Sequence, residues 1–380
     1  MSLTSHLGDT ILKMPMIEAL RKEHPHARIE CAVEAGAAPL LQRMSAIDHV
    51  YALKLGSAPP ITRSLSVQRT LRVVGCYWQQ MRQSAPTICV MPRWGDDLFR
   101  SNMLGYLTGA SRRIGFASDV SAAQQKQLPH RDALLTERIQ GGRGMHEAAK
   151  FCLLLRNAGL IPKVDTREIC ASVIVSLKQI AAAIDWPSLA DRIGVDATSP
   201  FAVIAPGASM PKKVWPIELW AQVMQDLRAK GLQVVVLSGA HDAAIARQLH
   251  EHNGGWATLV AGGTSLSESA TLISHAKLFL GNDSGPGHVA GALGVPTVIL
   301  FISEEGYDPD GPWNPRRIHP IGPHVAFCRP SKCVPPCLLC CEAAEAHCIK
   351  TIQPFEVLQA ATLQMERAEA IHATPTGVQS

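Results

Sequence analysis

Three short stretches of the chain carry residue types and spacings suited to chemistry on a phosphorylated ligand. The first is GNDSGPGHVA, Gly281 to Ala290. Within six residues it holds an acid, a hydroxyl, two turn glycines and a histidine: Asp283, Ser284, Gly285, Gly287 and His288. A β-rich run precedes it and a short helix is expected to follow. Ligands of open α/β sheets bind at the carboxyl ends of the strands. A helix starting there aims free N–H groups and its positive dipole end at the same spot, which favours an anion. Ser284 would add a hydroxyl, and Gly285 and Gly287 would let backbone approach the ligand. Asp283 would repel a phosphate, so it is expected to bind sugar hydroxyls or to cap the helix. A capped helix with no ligand would use the same residues.

GPGHVA also fits G-x-G-x-x-A, the dinucleotide-binding fingerprint, with Glu304 and Glu305 downstream. That match would make the chain a nicotinamide-dependent oxidoreductase. Against it, the match comes late, after several βα units, and Gly291 and Gly294 interrupt the helix.

The second stretch is APGASMPKKVWP, Ala205 to Pro216. It too leaves a buried strand and enters a helix. Gly207, Ala208 and Ser209 form a small-residue turn, and Lys212 and Lys213 bring positive charge to the same sheet edge. The second glycine of a P-loop is absent. Standing alone, the lysines would read as a solvated pair. Two strand-to-helix anion turns in one domain favour a phosphate ligand. The third stretch is HLGDTILKMP, His6 to Pro15. Asp9 stands where a helix starts and could serve only as its N-cap. An acid on one domain, opposite a phosphate site on another, is also where a general base belongs.

The elements that must position these residues alternate. In the first half TILKMPMIEALRKEHP has Ile11, Leu12, Ile17 and Leu20 at helical spacing. ARIECAV, HVYAL, PTICVM and RRIGF read as strands, with helices expected around 67–82, 97–107 and in HEAAKFCLLLRNAGL. Residues 163–200 look less regular and are expected to hold the domain boundary. In the second half FAVIA, QVVVLSG, KLFLGN and PTVILF are strands separated by helices. One of these helices opens on a capping box at Ser265 and Glu268. Such alternation argues for parallel sheets covered by helices on both faces.

A chain of 380 residues, 47% hydrophobic and 18% charged, suits two folded domains. No apolar run reaches the ~18 residues that span a bilayer, and no secretory signal is recognised at the start. The net charge of +4 permits an acidic substrate or a membrane surface without demanding either. No Lys/Arg block marks a nucleic-acid binder. Of the eleven cysteines, six crowd between Cys328 and Cys348. The expected compartment is the cytosol, where thiols stay reduced. Cys337-x-x-Cys340 has a metal-knuckle spacing that Cys333, Cys341 or Cys348 could complete as a structural zinc or iron site. Plain reduced thiols are the alternative.

Taken together, the three stretches resemble glycosyltransferase family 9, whose best-known members are lipopolysaccharide heptosyltransferases. Gly8, Asp9, Pro15 and Leu20 match its opening motif. Pro206, Gly207, Ala208, Ser209, Lys213, Trp215 and Pro216 match its second. Asp283, Ser284, Gly285, His288 and Ala290 match its third. LGYLTGASRRIGF also looks like a strand of the family's first domain.

The resemblance implies an α/β fold of GT-B type, two Rossmann-like αβα domains with the active site in the cleft between them. Residues 1–175 would bind the acceptor and 176–350 the nucleotide sugar, with 351–380 a closing helix and tail that often crosses back to the first domain. It implies inverting, metal-independent transfer, typically from ADP-heptose, to a lipid-linked saccharide at the inner membrane, with no cofactor required for catalysis. A different donor, or a non-catalytic sugar-nucleotide binder, would keep the same motifs.

By position, Asp9 would be the general base and Lys213 would neutralise the leaving diphosphate. Gly207, Ser209, Ser284, Gly285 and the following helix would hold the donor, with Asp283 and His288 completing its pocket. Arg63, Arg93 and Arg100 would meet an anionic acceptor. The family opens with an apolar strand, where this sequence has only MSLTSHL before Gly8. Either the start is mis-assigned or the first strand, expected at the centre of its sheet, is truncated or missing.

Overall fold

The computed structural model describes residues 1, 7–54, 63–93, 101–117, 131–162, 165–304, 308–311, 313–331, 345 and 347–373. It divides into two compact units. Unit 1 is Met1–Val173 with Arg316–Ile318, and unit 2 is Ile174–Pro315 with His319–Ser380.

Unit 1 opens with helix α1, Leu7–Glu23, which packs along the helix Glu147–Asn157. Gly8 and Asp9 lie in its first turn, where an acid is favoured by the helix dipole. Pro15 lies in its interior and removes one backbone donor, yet the helix continues because Ile11, Leu12, Met14, Met16 and Ile17 are all buried. The strands are β1 (Glu30–Glu34), β2 (His49–Leu53), β3 (Ile88–Met91), β4 (Arg112–Phe116) and β5 (Glu137–Ile139). All pair in parallel, but in two separate sheets, β1-β2 and β3-β4-β5. Among the described residues no strand joins β1 to β3. Met1 sits beside β1: its amino group donates to the Glu30 carbonyl at 2.5 Å, and its carbonyl accepts from Ala32 N–H at 2.9 Å.

Unit 2 holds one parallel sheet of six strands: β6 (Phe201–Ala205), β7 (Gln233–Ser238), β8 (Thr258–Ala261), β9 (Leu278–Asn282), β10 (Thr297–Leu300) and β11 (Val325–Cys328). Their order across the sheet is β8-β7-β6-β9-β10-β11. Numbered within the unit this is 3-2-1-4-5-6, the doubly wound order whose switch point lies between the first and fourth strands. The core gathers Ile204, Leu280, Val298, Trp215 and Trp220, whose two indoles meet edge to face at 4.9 Å. The expected capping box is present: Ser265 N–H donates to Glu268 Oε2 at 2.7 Å, and Glu268 N–H to Ser265 Oγ at 3.3 Å.

One expectation needs correction. Most of 163–200 is not irregular, because helices Thr166–Ala182 and Trp186–Ile193 occupy it, and the unit division falls inside the first. Val173, Leu177 and Ile180 are buried at helical spacing, a signal the turn-rich DATSP that follows obscured. The closing helix Pro354–Ala373 belongs to unit 2. It packs on β9, β10 and β11 and on helix Ile217–Ala229, burying Val357 and Ala361 with Ile349 and Ile352. Among the described residues no single helix is long and apolar enough to cross a membrane.

Candidate active site

The loops that follow β6 and β9 carry the second and third motifs, and the sheet makes these strands neighbours. Residues 70 positions apart therefore meet at the switch point. Lys213 Nζ donates to Asp283 Oδ2 at 2.5 Å, and both side chains are buried. Asn282, wholly buried at the end of β9, joins the loops a second time. Its side-chain amide donates to the Pro206 carbonyl at 2.6 Å, and its Oδ1 accepts from Trp215 N–H at 3.4 Å. Trp215 in turn donates from Nε1 to the Ile352 carbonyl at 3.2 Å, which anchors the loop to the segment before the closing helix.

The third motif forms a helix, Gly285–Leu293, with Ser284 at its N-cap position and Pro286 in its first turn. The Ser284 side chain makes no capping bond. The helix ends at Gly294, whose φ of 81° is the left-handed conformation that glycine adopts freely. Ser284 and Gly285 are half-buried and His288 is buried in the first turn. The first-turn N–H groups thus open beside the Lys213–Asp283 pair, a cradle for an anion. Asp283 is not the helix cap considered from sequence. It is the partner of Lys213, which fixes the ammonium at the sheet edge.

The two adjacent lysines part company: Lys212 Nζ stands 3.9 Å from the centroid of the Trp313 ring. Ser209 is exposed, while Gly207 is buried against Asp242. A Cβ on Gly207 would lie 2.5 Å from the Asp242 Cβ, which is fixed to backbone and cannot yield cheaply. Gly207→Ala is therefore expected to cost about 1–3 kcal/mol by overpacking, read as a lowered urea midpoint, and to weaken nucleotide binding at the same turn. An unchanged midpoint would show that the turn adapts.

In unit 1, Arg93 Nη1 lies 3.9 Å from Asp9 Oδ2. The Asp9 side chain is 45% exposed and Arg93 only 14%. A solvent-facing carboxylate beside a well-packed guanidinium can take a proton from one substrate group while the cation holds an anionic one. Arg63 begins the helix Arg63–Cys76, and its side chain lies outside the described residues, as do Arg100, Cys333, Cys337 and Cys340. Cys348 is buried, with Sγ 3.3 Å from Nδ1 of its neighbour His347. Among the described residues no group of three or more His, Cys, Asp or Glu side chains could hold a metal. Sequence reasoning missed Asn282 and Asp242. A polar side chain ending an otherwise apolar buried strand was the available signal for Asn282. The approach of Asp242 to Gly207 depends on the pairing of β6 with β7 and had no signal in the sequence.

The dinucleotide fingerprint opens the first βα turn of its sheet, whereas GPGHVA follows β9, fourth in this one. Comparison with known proteins agrees with the motif reading instead. The model of glycosyltransferase family 9 (heptosyltransferase) matches residues 78–335. Lipopolysaccharide heptosyltransferase 2 of Salmonella typhimurium is 26% identical over 309 residues, covering 78% of this chain and 80% of that protein. Among solved structures, a family 9 glycosyltransferase from Veillonella parvula superposes with a TM-score of 0.66 at 18% identity, covering 96% of both chains. An Escherichia coli heptosyltransferase with ADP gives 0.66 at 17% identity, over 96% of this chain and 98% of that one. The shared fold is the GT-B class of two Rossmann-like units that the motifs implied. Its family model spans most of the chain and includes the second and third motifs: the protein belongs to glycosyltransferase family 9 and is a glycosyltransferase.

Proposed function

We propose that this chain transfers a heptose from ADP-heptose to a lipopolysaccharide core-type acceptor, with inversion at the anomeric carbon and without a catalytic metal. The observation that carries the reading is the switch point of unit 2, where the Lys213–Asp283 pair and the N-terminus of Gly285–Leu293 stand together. An ammonium and a helix N-terminus provide the positive field that a departing diphosphate needs. The names of the relatives, and a structural neighbour holding ADP, support this choice of donor and sugar.

In this reaction Asp9 accepts the proton of the acceptor hydroxyl as its oxygen attacks the anomeric carbon. The bond from that carbon to the diphosphate breaks on the opposite face, and ADP leaves with its new charge against Lys213 and the amides of Ser284 and Gly285. Asp283 holds Lys213 in place, His288 lines the donor pocket, and Gly207 and Ser209 contribute the other turn. Arg93 meets an anionic group of the acceptor. A lipid-linked acceptor would bring the protein to the cytoplasmic face of the inner membrane. The test is ligand-dependent melting followed by turnover. ADP should raise Tm where UDP, GDP and NAD do not, and ADP-heptose should be consumed in the presence of EDTA only when acceptor is added. A shift with UDP or GDP alone would change the donor, and a shift with NAD alone would end the reading.

A further inference from the structure

β6 and β9 pair in register as far as Ala205 and Gly281. Pro206, next along the chain, has no N–H to donate. There the side chain of Asn282 continues the link between the strands. Its Nδ2 donates to the Pro206 carbonyl at 2.6 Å, and its Oδ1 accepts from Trp215 N–H at 3.4 Å. Pro206 opens the loop 206–216 between β6 and the helix Ile217–Ala229, and Trp215 stands near its close. One wholly buried side chain therefore ties both ends of that loop to the end of β9.

Between the two ties the loop makes a single tight turn, Pro211–Lys213. Lys213 N–H donates to the Met210 carbonyl and Val214 N–H to the Pro211 carbonyl, both at 3.0 Å. Lys213 leaves this turn to meet Asp283, the residue that follows Asn282. The ion pair by itself leaves the ammonium room to wander, because a lysine stem is flexible and can follow a carboxylate from several backbone positions. The bonds to Asn282 remove that freedom. They set the loop backbone against the strand end from which the helix Gly285–Leu293 is launched.

The side chain suits this task and few others do. A primary amide carries a donor and an acceptor on one planar group, whereas a carboxylate only accepts and an aliphatic chain does neither. Without it, a buried backbone carbonyl and a buried N–H lose their partners together. The core keeps its own hold on the loop. Trp215 Nε1 donates to the Ile352 carbonyl at 3.2 Å, and the indole meets Trp220 edge to face at 4.9 Å. Loss of the Asn282 bonds thus frees the course of the loop and leaves its tryptophan anchored.

We propose that Asn282 is a positioning residue for sugar transfer: it ties both ends of the Lys213 loop to the end of β9 and so holds the ammonium where the charge of the departing diphosphate develops. This role rests on the reaction proposed above. Being wholly buried, Asn282 acts through Lys213 and not on the substrate.

A double-mutant cycle tests it. Asn282→Leu removes both bonds and keeps the bulk of the side chain. It is made in the unaltered protein and in the background Lys213→Met with Asp283→Asn, which has no buried ion pair left to misplace. In the unaltered protein the change should lower kcat about 10–100-fold. In the second background it should lower the residual rate less than about twofold, since effects that pass through one group do not add. The same cycle is read by calorimetry as affinity for ADP, which needs no turnover, and the same non-additivity is expected. Equal losses in both backgrounds, or no loss in the unaltered protein, would overturn the proposal. Should Asn282→Leu fail to fold, Asn282→Ser, which retains a hydroxyl, goes through the same cycle. Absence of transfer by the unaltered protein would refute the reaction itself and leave the affinity cycle to decide on Asn282.

Discussion

Asp9→Asn should lower the rate of sugar transfer about 10²–10⁴-fold while leaving the affinity for ADP unchanged. The amide keeps the size of the carboxylate and its reach toward Arg93 but cannot accept a proton from an acceptor hydroxyl. Because the Asp9 side chain is half exposed and its pairing with Arg93 is at 3.9 Å, little stability depends on it, and Tm should move by no more than about 2 °C. The measurement is kcat on ADP-heptose and acceptor, beside calorimetric binding of ADP. Transfer at the wild-type rate would remove Asp9 from the mechanism. A matching fall in ADP affinity would show that the effect passes through the donor site instead.

Lys213→Met combines a loss of catalysis with a loss of stability, and the two separate experimentally. Removing a donor aimed at developing negative charge typically lowers kcat about 10²–10³-fold. Removing one partner of a buried ion pair costs about 3–5 kcal/mol, because the remaining carboxylate of Asp283 is left buried without its counter-ion. The double variant Lys213→Met with Asp283→Asn removes that orphaned charge and should recover most of the melting temperature. It should not recover turnover, since the cation opposite the leaving diphosphate is still gone. A double variant that regains both stability and rate would show that the lysine only holds the two loops together. A single variant with undiminished rate would place the charge compensation elsewhere, at the helix N-terminus alone.

The amino-acid sequence by itself determined the family and the kind of fold. Hydrophobic runs such as FAVIA and KLFLGN, each followed by small residues and then helical spacing, could only be buried parallel strands entering helices. The three motifs identified the family because turn glycines, a lysine and an acid at fixed offsets are local features of the chain. What the sequence left open was every contact made across the sheet. Lys213 and Asp283 meet because β6 and β9 pair at the switch point, and pairing partners are chosen by the packing of the whole sheet. The same pairing turned Asp283 from an expected cap into the partner of a lysine, while Lys212 stands over Trp313 instead. Arg93 and Asp9 come from elements 84 positions apart, and only the fold of unit 1 sets the guanidinium beside the carboxylate. The helices over 166–193 were legible in the spacing of Val173, Leu177 and Ile180 but were overshadowed by turn residues nearby. That the described strands of unit 1 pair as β1-β2 and β3-β4-β5 had no local signal either, because a hydrogen bond between strands is a property of the assembled sheet and not of any stretch of chain.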